Sequence, residues 1–168
     1  RSSDLAEPAE AVRDGIAHID AAYGGEDYTA FTCGKRIGDS LVMYGRIWHA
    51  HADTVLGAAM AEADRLMCGP VWCENNGDKG YLAREIIRTG HRAASYHEAE
   101  NKCYKISTFL RKWWRNIRWL PGTDPEYLRQ ITNYTEDAEH DDAPDSCACL
   151  CRILDARSGK PYRSALFG

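Results

Sequence analysis

Hydrophobic and polar positions separate most cleanly between 105 and 120, where the chain reads KISTFLRKWWRNIRWL. Turned by about 100° per residue, Phe109, Leu120, Trp113, Ile106, Ile117, Leu110 and Trp114 gather on one arc. Lys105, Arg111, Lys112, Arg115 and Arg118 fill the opposite side, and Trp119 projects beside Lys112 on the polar face. The pattern predicts a basic amphipathic helix that Pro121-Gly122 ends.

The same periodicity predicts helices elsewhere. Pro8 suits a first helical turn, and Ala9, Val12, Ile16, Ile19 and Tyr23 follow at helical spacing until Gly24-Gly25. A long second helix carries Ile37, Leu41, Tyr44, Trp48 and Val55 through LGAAMAEAD to Gly69-Pro70, with Gly45 and Gly57 as kinks. Asp78 caps a third, with Tyr81, Leu82, Ile86 and Ile87. Thr123-Asp124-Pro125-Glu126 reads as a capping box that opens a short helix through Tyr127, Leu128, Ile131 and Tyr134. In SCACLCRIL, by contrast, Cys147, Cys149 and Cys151 alternate with small or apolar residues, which predicts an extended segment. The expected architecture is an all-α, disulfide-stapled bundle of four to six helices, a single domain over 1–168 with an irregular or short extended, cysteine-clamped tail at 146–168.

Composition agrees with one folded domain. At 168 residues with 44% hydrophobic and 27% charged positions, the chain can fill a core and is not of disordered composition. Its net charge is −4, and acids crowd at Glu136, Asp137, Glu139, Asp141, Asp142 and Asp145, a run placed to neutralise the basic helix. Seven cysteines, Cys33, Cys68, Cys73, Cys103, Cys147, Cys149 and Cys151, are scattered as bridges would be. Six would pair, the odd one could join two chains, and a secreted, extracellular protein follows from that reading. The CxCxC spacing is shorter than that of structural zinc sites, so neither a metal nor another cofactor is expected.

Catalytic signatures are sparse. There is no GxSxG, no phosphate-binding loop and no dinucleotide-binding glycine pattern. His49 and His51 point to different sides of a helix, whereas His91, His97, Glu98 and Glu100 could supply an acid, a base or metal ligands. The favoured function is therefore a secreted, non-enzymatic toxin, effector or binding ligand. It would engage a protein or an anionic surface of another cell, with peripheral membrane contact, through Lys105, Arg111, Lys112, Arg115, Arg118 and Trp119. Nucleic acid is not the expected partner. The alternatives are a small secreted hydrolase or metal-dependent enzyme using the His/Glu set, and a carrier of lipid or another small apolar ligand between helices.

Overall fold

The computed structural model describes residues 9–157, and a mixed β-sheet organises them. After a 3-10 turn at Ala9–Val12 come β1 (Ile16–Asp20), β2 (Thr29–Ile37) and β3 (Ser40–Trp48). Helix α1 (Ala52–Arg65), β4 (Val71–Glu74), α2 (Tyr81–Arg88) and β5 (Ala93–Tyr96) follow. The next helical stretch is α3 (Lys102–Lys105), a π-helical segment Ile106–Leu110, α4 (Arg111–Trp113) and a 3-10 turn Trp114–Asn116. It leads into β6 (Ile117–Trp119), α5 (Pro125–Thr132) and α6 (Asp142–Ala156).

The strand order is β5-β4-β1-β2-β3-β6, and only β2 runs against the others. Both faces of the sheet are covered. On one, Ala17, Ile19, Phe31, Val42 and Tyr44 pack with Leu56, Met60, Leu82 and Ile86 of α1 and α2. On the other, Ile16, Leu41, Met43 and Trp72 pack with Leu110, Tyr127, Leu150 and Leu154 of the later helices. Helix α6 crosses this second face against β1, β2 and β3 and is buried along nearly its whole length. Helices apolar on all sides are buried ones, and here three cysteines serve as small core residues.

The all-α expectation is thus overturned. Strands buried on both faces carry continuous apolar runs instead of an alternating pattern, so the spacing of Ile37, Leu41, Tyr44 and Trp48 imitates a helix although these residues lie on β2 and β3. Gly38, at φ +61°, belongs to the two-residue turn joining them, with Ile37 paired to Ser40. The first predicted helix is β1 preceded by a 3-10 turn, and Pro8 lies outside the described residues. The basic helix stops at Asn116, because Ile117, Arg118 and Trp119 pair as an edge strand with Leu41, Val42 and Met43. The tail read as extended is the helix α6 as far as Ala156, and 158–168 lie outside the described residues. No disulfide forms: all seven cysteines are free, and Cys147, Cys149 and Cys151 are buried in the core. The reading of secretion rested on those bridges and loses that support.

Candidate active site

Three elements bring acidic side chains to one corner of the sheet. Side chains alternate along a strand, so in β1 Ile16, His18 and Asp20 share the face that α6 covers, while Ala17 and Ile19 face α1 and α2. In β4 the same alternation places Trp72 and Glu74 on the α6 side and Val71 and Cys73 on the other. These strands are parallel and in register from Ala17↔Val71 to Ile19↔Cys73, so Asp20 and Glu74 end them side by side. Ligands of open α/β sheets bind beyond the carboxyl ends of parallel strands. Asp142 and Asp145, in the first turn of α6, approach from above, where a helix N-terminus favours negative charge.

Burial raises the Asp20 carboxyl well above the usual carboxylate range, and the charges of Asp145 and Asp142 raise it further. Among the described residues its carboxylate takes no hydrogen bond or ion pair. Glu74 is likewise raised by burial, with Asp145 and Glu98 adding to the effect against the pull of Lys105. Asp142 is raised by burial although its Oδ2 accepts the Tyr28 backbone N–H at 3.1 Å.

Cations stand among these acids. Lys105 Nζ lies 2.6 Å from Glu98 Oε1 and 2.7 Å from Asp145 Oδ1. Arg152 donates to both Glu98 oxygens, at 2.9 and 3.1 Å. Burial alone would raise the Glu98 carboxyl, but the hydrogen bonds from Arg152 and Lys105 prevail and hold it at about 2. At the more open side Lys102 Nζ donates to Asp141 Oδ1 at 3.0 Å and sits 4.0 Å from Asp145.

A buried hydrogen-bond chain fixes α6 on the sheet. Tyr127 Oη meets Thr32 Oγ1 at 2.6 Å, and Thr32 meets Ser146 Oγ at 2.9 Å. Ser146 in turn meets His18 Nδ1 at 2.9 Å, and His18 Nε2 meets Tyr96 Oη at 2.8 Å. Burial, reinforced by Lys105 and Arg152, lowers the His18 imidazole to about 3, so it is neutral and can both donate and accept. Ser146 adjoins Asp145, and this chain therefore sets where the acid points.

Of the residues singled out by sequence, Glu98 lies in this corner. Glu100 is exposed and its N–H donates to Glu98 Oε2 at 3.3 Å. His97 is exposed, and His91 Nε2 pairs with Asp64 Oδ1 of α1 at 2.7 Å, away from the acids. His51 caps α1, and His49 stacks on Tyr28. Lys105 is buried, Lys112 pairs with Asp155, Arg111 and Arg115 are exposed beside Trp114, and Trp119 packs edge-on against Tyr127. Sequence reasoning missed Asp20, Glu74 and the role of Asp145. The available signal was an acid closing each of two short apolar runs, IAHID and VWCE, which become legible once the runs are taken as strands.

The fold is that of the nuclease domains of viral large terminases. The terminase nuclease domain of human cytomegalovirus, manganese-soaked and inhibitor-bound, superposes with a TM-score of 0.61 at 13% identity, over 85% of this chain and 83% of that one. The large terminase nuclease of thermophilic phage G20c, solved with bound zinc, gives 0.61 at 17% identity over 83% and 81%. The large terminase of another thermophilic bacteriophage gives 0.58 at 10% identity, and this chain spans 40% of its length. No protein-family model and no curated protein matches the sequence.

The likeness overturns the reading as a secreted toxin, effector or binding ligand. Neither alternative gains support, since His91 pairs with Asp64 away from Glu98, His97 is exposed, and the molecule is built on a six-stranded sheet and is not the helical bundle that the carrier reading needs. The manganese and zinc of two of these structures raise the question of a metal here. Among the described residues no three His, Cys, Asp or Glu side chains are placed to hold one ion together. Lys105 and Lys102 occupy the carboxylates that would be needed, so the corner as arranged does not fit a metal centre.

Proposed function

We propose that this chain is a nuclease-type enzyme that hydrolyses phosphodiester bonds of nucleic acid at the corner of Asp20, Glu74 and Asp145. The observation that carries the reading is the side-by-side ending of two parallel strands in carboxylates without ion-pair partners, beneath the acidic first turn of α6. The shared fold with terminase nuclease domains supports it.

The chemistry uses the chain's own groups. A carboxylate whose proton affinity is raised toward neutrality is suited to take a proton from water, and Asp20 and Glu74 are both shifted that way. As the water oxygen bonds to phosphorus, the bond from phosphorus to the leaving sugar oxygen breaks, and that oxygen receives a proton. Lys102, with 45% of its side chain exposed, is the cation at the mouth that a substrate phosphate meets.

The test is cleavage of end-labelled single- and double-stranded DNA and RNA over a range of pH, with and without added Mg2+ or Mn2+. Asp20→Asn and Glu74→Gln should each lower the rate by about 10²–10⁴-fold, the usual contribution of a positioned proton acceptor. Cleavage that both variants retain in full would overturn the reading, as would no cleavage by the unmodified chain under any condition.

A further inference from the structure

Lys105 retains 1% of its accessible surface, a rare state for a lysine. Its ammonium touches Glu98 at 2.6 Å and Asp145 at 2.7 Å and lies 3.4 Å from Cys149 Sγ. At these distances both carboxylates are in direct ion-pair contact with the ammonium. The side chains of Glu98, Asp145 and Arg152 are 7%, 8% and 3% exposed, which makes the cluster a closed one. Two carboxylates and a sulfur around one point are the surroundings of a cation, and nuclease sites often hold two divalent ions about 3.5–4 Å apart.

We propose that the Lys105 ammonium is a built-in cation occupying a position between Asp145 and Glu98 that a divalent ion would otherwise take. The inference rests on the nuclease reading only for what Asp145 is for. A fixed ammonium balances the buried acids whatever the ion concentration outside, so Asp145 and Glu98 need no divalent counter-ion. Lys105 is by this account a positioning residue: it is too buried to touch substrate and acts through Asp145.

Counting bound Mn2+ per chain by titration calorimetry tests this on the whole protein. Lys105→Met should bind one more Mn2+ than the unmodified chain, and Mn2+ should raise its melting temperature by more. The gain should vanish in Lys105→Met/Asp145→Asn, which removes one charge of each sign and is expected to fold without metal. Equal Mn2+ counts for Lys105→Met and the unmodified chain would overturn the proposal, and so would a gain that persists in the double variant. Failure of Lys105→Met to fold even with Mn2+ present would also overturn it, because an ion seated there would restore the missing charge. An unmodified chain that cleaves nothing sinks the nuclease reading alone, since the difference in Mn2+ count does not depend on cleavage.

Discussion

Burial and two neighbouring acids disfavour the charged form of Asp20, so carrying that charge costs stability. A carboxyl raised in the folded state binds protons more readily there than in the unfolded chain, so its penalty is largest at pH values above its folded pKa and fades on acidification. Asp20→Asn should therefore melt higher than the unmodified protein at neutral pH, with each kcal/mol relieved worth about 2–4 °C in a chain of this length. The difference should shrink as pH falls. Calorimetric melting at several pH values checks both, and a lower melting temperature for the variant at neutral pH would contradict the assignment. Glu98 has the opposite sign: its carboxyl, held at about 2, stabilises the fold above the ordinary carboxylate range, and that contribution is lost as pH drops toward 2. His18, neutral and lowered to about 3, adds to acid lability below the ordinary imidazole range, because the unfolded chain takes up a proton that the folded one does not. None of this was legible in sequence. IAHID contains both His18 and Asp20, but their shifts arise from α6 and from Lys105, which lie far along the chain.

Elements with local punctuation could be read in advance. Asp78 accepts the backbone N–H groups of Gly80 and Leu82 at the start of α2, and Asp124 accepts that of Glu126 ahead of Pro125 in α5, as their sequences imply. The strands could not be read, since a hairpin covered on both faces has no polar side to set its period. Helix α6 was misread for a related reason: nearly every position is buried, so the alternating cysteines suggested a strand. Gly45 in β3, read as a kink, has another role. A Cβ there would run into the Tyr127 ring, and Tyr127 begins the hydrogen-bond chain that holds α6. Gly45→Ala should lower stability by about 1–3 kcal/mol in urea unfolding, the usual cost of overpacking, whereas Gly57→Ala in α1, with open space around it, should not.

At the scale of the whole molecule, two cores on either side of one sheet hold the fold, with no covalent staple among the described residues. Alkylation after denaturation, with no reductant added, should accordingly modify all seven cysteines. In the native state Cys103, which is partly exposed, should react well ahead of the others, and a mass shift showing bridged pairs would contradict the structure. No helix among the described residues is long and apolar enough to cross a membrane. The hydrogen bond between His18 and Ser146 spans 128 positions of sequence, and such long-range closure slows folding. It also orders events during synthesis. The strands carrying Asp20 and Glu74 leave the ribosome before α6, so the acidic corner is assembled only once α6, with Asp142 and Asp145, has docked on the sheet.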